Sequence, residues 1–266
     1  MSNASTDEGI YDLDALETAI VSDGADARIV IGQAGQIMSG AFDNFTRLSQ
    51  LCKEHDAWLH VDGAFGLWVR ASTRLSTLAH NVDLADSWSV DGHKWLQVPY
   101  DLGFVIVRHP EFHRRAMTMA AGYLPMDAER RDNSNYVPEL SRRARGFSAW
   151  AVMQNLGRTG IAELVERHCN AAHYLGQKLR RLDGVELVNG VCLNQLAVAF
   201  ADDRSDGAQA VADHLNNTGE YFVRTADWNG RRVLRFSITS WLTSIEDIEQ
   251  LATEIEDFWT QYQRDK

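Results

Sequence analysis

Two apolar runs constrain the fold of this 266-residue chain more than any other feature. AWLHVDGAFGLW and SWSVDGHKWLQVPYD each begin like a buried strand, and each strand ends in Asp-Gly. His93 and Lys94 follow the second Asp-Gly at once. A charge at the end of a buried strand is unfavourable unless it is solvated or paired. Either Asp62 and Lys94 are solvated loop ends, or something of complementary charge sits between them.

The surrounding periodicities define the fold class. DLDALETAIV places Leu13, Leu16 and Ile20 on one helical face, with Asp12 or Asp14 as its cap. ARIVIG reads as a short strand, and Asp43 opens a helix carrying Phe45, Leu48, Leu51 and Cys52. AWLHVDG, a short helix around residues 74–80, SWSVDG and GFVIVRH complete the rhythm. Strands alternating with helices predict βαβ units and a mostly parallel α/β sheet. Residues 118–145 break the pattern with two prolines and dense charge, as a functional loop does. GFSAWAVMQNLG then predicts a helix stopped by Gly157, followed by a long amphipathic helix carrying Ile161, Leu164, Val165, Cys169, Ala172, Leu175, Leu179 and Leu182 on its apolar stripe. Strands near 185–188, 193–200, 221–225 and 232–239 and a helix near 206–217 form an α+β region. Thr243 to Glu246 is a capping-box pattern opening a last helix. The expected division is 1–145 for the α/β part and 146–266 for the linking helices and the smaller α+β domain.

Charge and cysteine content narrow the function. A formal net charge of −11 opposes binding to nucleic acid or to an anionic membrane surface. Cys52, Cys169 and Cys192 are widely spaced and form no CxxC pair, which suits a reducing compartment and offers no zinc site. The polar, acidic start MSNASTDEGIYDLD has no apolar signal core, and no run reaches the length of a membrane span. These features predict a cytoplasmic protein.

Ligands of a parallel α/β sheet collect beyond the carboxyl ends of its strands. Asp62 and Lys94, one βαβ step apart, are therefore expected to face one crevice. An amine that forms a Schiff base and a carboxylate that pairs with a protonated ring nitrogen suit pyridoxal phosphate. Small Gly63 and Ala64 admit a flat ring, and His93 is placed to meet the phosphate or the ring. A competing reading uses His60, Asp62, Asp91 and His93 as ligands of a divalent metal in a hydrolase. It leaves Lys94 without a role.

HVDGAFGLW, ADSWSVDGHKWLQVPYD, SRRARGFSAWAVMQNLGRTGI and VLRFSITSWLTSIEDIEQL together resemble the group II pyridoxal-phosphate-dependent decarboxylases. That family includes the aromatic amino acid, glutamate and tyrosine decarboxylases, and has the aspartate-aminotransferase-like fold (PLP fold type I). The resemblance runs from about residue 10 to 262. It implies pyridoxal 5'-phosphate as cofactor, an amino acid as substrate, carbon dioxide as product, and a homodimer or a full-length partner subunit. It implies Lys94 as the Schiff-base lysine, Asp62 as partner of the pyridine nitrogen, Ala64 against a ring face and His93 at the phosphate or substrate. Tyr136 matches the loop tyrosine that returns a proton after carbon dioxide leaves. Arg235 is a candidate clamp for a substrate carboxylate, and Arg142, Arg143 and Arg145 are loop anchors.

Two departures from the family pattern stand out. Gln36 and Ile37 occupy a turn where many members carry threonine, removing a polar contact. The family also places a long segment ahead of YDLDALETAI that supplies the phosphate loop and the histidine stacked on the cofactor. The expectation is an incomplete large domain and impaired activity. The same Asp and Lys also serve aminotransferases and carbon–carbon lyases, so the alternatives are another reaction of this fold or a non-catalytic chain that binds a partner.

Overall fold

The computed structural model describes residues 5–118, 131–201 and 206–265. Helix α1 (Leu13–Ser22) is capped by Asp12, whose side chain accepts from the backbone of Asp14 and Ala15. Strand β1 (Arg28–Gln33), helix α2 (Phe45–Glu54) and strands β2 (Ala57–Asp62), β3 (Ser87–Asp91) and β4 (Gly103–Val107) follow. They form a four-stranded sheet in the order β1-β2-β3-β4, parallel across the first three strands and antiparallel at β4.

Two local expectations are corrected here. Helix α2 is capped by Asn44, not Asp43. Asp43 turns inward instead and accepts from the backbone N–H of Tyr11 and Gln33, at 2.8 and 2.7 Å. The crossover from β2 to β3 is no α-helix but three short 3-10 turns, Gly66–Ala71, Ser76–Ala79 and Val82–Leu84. Ser72 accounts for part of this, because its hydroxyl accepts from Leu75 N and competes with a continuous helical ladder.

The two faces of the sheet differ. Val30, Leu59 and Val61 point into a core with Phe45, Leu48 and Cys52 of α2. The opposite face carries Ile29, Ile31 and Gln33 on β1, Trp58, His60 and Asp62 on β2, and Ser87, Ser89 and Asp91 on β3, aligned by register. That face is partly open, with Ile29 and Ile31 69% and 50% exposed.

Helix α3 (Pro110–Met117) starts on a proline, and a 3-10 turn covers Asn133–Tyr136. Helix α4 (Arg145–Leu179) merges the two expected helices across a break at Gly157, where φ is 61° and ψ is −176°. Strands β5 (Val185–Leu187), β6 (Gln195–Phe200), β7 (Arg224–Trp228) and β8 (Arg231–Ser237) form an antiparallel sheet in the order β5-β6-β8-β7. Helices α5 (Gly207–Thr218) and α6 (Ile245–Arg264) pack with the end of α4 around Leu175, Leu196, Leu234 and Trp259. Ala149, Ile161 and Val165 of α4 belong instead to the first core, so one helix serves both.

Strand β7 begins three residues later than 221–225 predicts. Asn216 at the end of α5 holds both backbone groups of Val223, which keeps that segment out of the ladder. The β7–β8 turn is Asn229-Gly230, with both φ values positive, the residue pair that a two-residue hairpin selects. The last capping box is Ser244 with Asp247, one residue beyond the Thr243–Glu246 pattern. Among the described residues no helix is long and apolar enough to cross a membrane.

Candidate functional site

Asp62 ends β2 directly opposite Ser89 of β3, and Asp91 lies two residues further along β3. Side chains alternate along a strand, so Asp62, Ser89 and Asp91 share the open face. Hydrogen bonds on that face confirm the parity: the two ring nitrogens of His60 meet Ser87 Oγ at 2.8 Å and Ser89 Oγ at 3.2 Å. Burial lowers the pKa of His60, with Asp62 opposing the shift, so the imidazole is neutral near pH 7.

The loops after β2 and β3 are stitched together. Gly63 N donates to Ser89 O and Asp91 N donates to Ala64 O, both at 2.9 Å, and Trp68 Nε1 donates to Asp91 O at 3.1 Å. This closeness favours glycine at position 63, where a Cβ would lie 2.6 Å from Leu67 Cβ and 3.1 Å from the Ser89 carbonyl oxygen. The two Asp-Gly motifs noted in the sequence are thus two adjacent strand ends tied by backbone hydrogen bonds.

Lys94 extends from the second loop with its Nζ 3.0 Å from Asp91 Oδ2 and a side chain 39% exposed. The same carboxylate oxygen lies 3.6 Å from His93 Nε2. His93 Nδ1 accepts from Leu102 N at 3.1 Å, and its ring packs on Tyr100. Asp62 Oδ1 accepts from Ala64 N at 3.0 Å. Among the described residues its second oxygen has no hydrogen-bond partner. The neighbouring Gln33 Oε1, in register with Asp62, is likewise buried and unpartnered. This edge of the sheet therefore offers a solvent-accessible amine paired with one carboxylate, a second carboxylate and unspent acceptors.

The other sequence candidates lie apart from this constellation. Tyr136 packs edge-on against His113 and under the Arg131 guanidinium. It lines a cavity of about 1140 Å³ beside β4 whose walls include none of Asp62, Ala64, His93 and Lys94. Residues 119–130 of the expected loop fall outside the described residues. Arg235 sits half-buried on β8 beside Arg224, its pKa lowered by burial. Arg143 donates to the carbonyls of Tyr100 and Pro99, and Arg145 pairs with Asp101 at 3.0 Å, so both anchor the chain onto the turn after Lys94. Gln36 turns its carbonyl back onto the N–H groups of Met38 and Ser39, so it is spent on its own turn.

The metal reading is corrected. His60 commits both nitrogens to serines and His93 commits Nδ1 to a backbone N–H. Among the described residues the only group of three potential ligand side chains within reach of one ion is Glu17, Glu54 and His55, on another part of the molecule.

Comparison with known proteins decides the family. The conserved domain of pyridoxal-dependent decarboxylases matches residues 2–201. The chain belongs to this family. Among curated relatives, the aromatic-L-amino-acid decarboxylase of Bacillus atrophaeus is 26% identical over 238 residues, covering 85% of this chain and 49% of the relative. The 3,4-dihydroxyphenylacetaldehyde synthase of Drosophila melanogaster is 26% identical over 263 residues, covering 95% of this chain and 51% of that one. Among solved structures, Oryza sativa TDC with PLP and tryptamine superposes with a TM-score of 0.90 at 23% identity, over 96% of this chain and 56% of that one. This pyridoxal-dependent decarboxylase family member thus has the fold of the PLP enzymes, and it spans about half the length of the curated relatives it matches.

Sequence reasoning missed Asp91 as the residue holding Lys94. The Asp-x-x-Lys spacing was visible, but it read as a repeat of the first Asp-Gly.

Proposed function

We propose that this chain carries the lysine and carboxylate half of a pyridoxal-phosphate site that removes carbon dioxide from an L-amino acid. One observation carries the reading: Asp62 and the Lys94–Asp91 pair stand on one face, at the carboxyl ends of adjacent parallel strands. The donor set fits the cofactor. An unspent carboxylate oxygen on Asp62 suits a protonated ring nitrogen, and the small Ala64 beside it leaves room for a flat ring.

Pyridoxal phosphate, when bound, supplies an electron-withdrawing ring that accepts the pair released as carbon dioxide departs. The residues act around it. Lys94, its Nζ 3.0 Å from Asp91 Oδ2, would be the residue that holds the cofactor, through its aldehyde carbon and with loss of water. Asp62 would hold the ring nitrogen in its protonated form. His93, fixed through Leu102 N, presents Nε2 toward Asp91 and steadies that carboxylate. Tyr136 is the proposed proton donor to the product carbon, and Arg235 the proposed partner of a substrate carboxylate; both would have to meet the substrate from outside the strand-end cluster.

Reduction with borohydride after adding pyridoxal phosphate tests the core of this reading. The expected outcome is a covalent adduct on Lys94, found by peptide mapping, and its loss in Lys94→Ala. Labelling of Lys94 no greater than that of Lys53 and Lys178 would remove the cofactor assignment.

The open face around Asp62, with Ile29 and Ile31 exposed, favours a second element of the reading, a homodimer. Sedimentation should give twice the chain mass, and a monomer at every concentration refutes this element. The three cysteines are unpaired, as the reducing cytoplasm proposed for the protein leaves them.

A further inference from the structure

We propose that His168 is the positioning residue for Lys94: its imidazole fixes Trp95, and through Trp95 the peptide carrying the lysine, against the Asp62 loop. The inference rests on Lys94 being the cofactor lysine.

The sequence gives His168 no special place, since it falls on the apolar stripe of α4. The structure does. His168 and Trp95 are both fully buried, and Trp95 Nε1 donates to His168 Nδ1 at 2.8 Å. An indole nitrogen only donates, so Nδ1 is the acceptor and the proton of the neutral ring is on Nε2. That nitrogen donates to Ser240 O at 2.9 Å. Each polar atom of the ring is used, and each use selects the same tautomer.

Trp95 is the residue after Lys94, and its indole has two ring neighbours. The His168 ring, joined to it edge to edge by the hydrogen bond, lies nearly parallel, with centroids 6.3 Å apart and planes 11° apart. Phe65, three residues beyond Asp62, lies at 6.4 Å, tilted by 48°. The indole is therefore the point where the lysine loop, the aspartate loop and α4 meet. A second strap closes the arrangement: Gln97 Nε2 donates to Thr239 O at 2.6 Å, and Trp241 N donates to Gln97 Oε1 at 3.3 Å. Thr239, Ser240 and Trp241 thus grip the turn after Lys94 at both Trp95 and Gln97. The lysine amine can hold its 3.0 Å contact with Asp91 only while that turn keeps its place.

A histidine that merely fills the core would affect stability and nothing at Lys94. Trace acetylation of the whole chain with acetic anhydride separates the two cases, with Lys178 on the surface of α4 as internal reference. His168→Phe removes both ring hydrogen bonds, and Trp95→Phe removes the donor alone. In both, the ratio of Lys94 to Lys178 labelling should rise about fivefold, the change that loss of the one hydrogen bond they share, Trp95 to His168, produces. His168→Gln, which can accept from Trp95 and donate to Ser240, should return the ratio to that of the wild type. Should His168→Phe fail to fold, Trp95→Phe reads the same contact. An unchanged ratio in a folded Phe variant, with only a lowered melting temperature, overturns the proposal. A changed ratio in a chain whose Lys94 captures no pyridoxal phosphate leaves the positioning intact and removes the cofactor reading instead.

Discussion

Under the proposed function, Asp62→Asn is expected to lower carbon dioxide release from an L-amino acid about 100- to 1000-fold, the range that follows loss of one preorganised electrostatic contact. The substitution is nearly isosteric. The side-chain carbonyl still accepts from Ala64 N, so the loop after β2 keeps the hydrogen bond seen at 3.0 Å. What disappears is the negative charge, and with it the bias toward a protonated ring nitrogen. Lys94 is held by Asp91 rather than Asp62, so its reaction with the cofactor should survive. The diagnostic result is therefore a split: the borohydride-reduced adduct on Lys94 persists while release of labelled carbon dioxide falls. Equal loss of both would assign Asp62 to cofactor retention, and undiminished release would end its assignment as the charge behind the reaction. The relatives include both decarboxylases and aldehyde synthases, so amine and aldehyde products are measured together.

The fold was legible where the pattern is local and strong. Alternation of apolar strands with Asp-Gly ends revealed β2 and β3, and Gly157 marked its break because its positive φ is one that other residues resist. The placing of Asp62 and Lys94 at neighbouring strand ends was legible because charged residues there demand an explanation. Asp91 was not, since its sequence surroundings repeat those of Asp62; only the coordinates show which carboxylate reaches the amine. The β2–β3 crossover deceived for a different reason. Its serines and threonines bond readily to the nearby backbone, as the Ser72 hydroxyl does in accepting from Leu75 N. The delayed start of β7 depends on Asn216, and the role of His168 on Trp95, contacts between residues 7 and 73 positions apart. The first is local but leaves no periodic signal, and the second lies outside any short window of sequence.

Lowering the pH should destabilise the chain through His168 by up to about 3 kcal/mol, from the 1.36 kcal/mol that each unit of pKa displacement represents. Burial pushes the pKa of this imidazole down from 6.5 to about 4, with nearby Arg167 adding to the shift and the Ser240 hydrogen bond opposing it. Between those two values the unfolded chain holds a proton on His168 that the folded chain refuses. Stability is thus fully present above about pH 6.5 and falls as the pH drops toward 4. Other groups titrate nearby. Burial raises the pKa of Asp43, which acts in the opposite sense, and the Ser72 hydrogen bond lowers that of Glu166. The measurement is therefore a difference: urea unfolding of the wild type and of His168→Gln across this range. Their stability gap should change steadily between pH 6.5 and 4, the wild type losing more. A constant gap would mean that His168 is not held neutral by its surroundings. Protonation at Nδ1 also abolishes the acceptor for Trp95 Nε1. Protonation of the folded chain should therefore loosen the turn behind Lys94, so the Lys94 to Lys178 labelling ratio, each lysine corrected for its own fraction of free amine, should stay level through most of this window and rise in the wild type only as the pH approaches 4, while remaining flat in the glutamine variant.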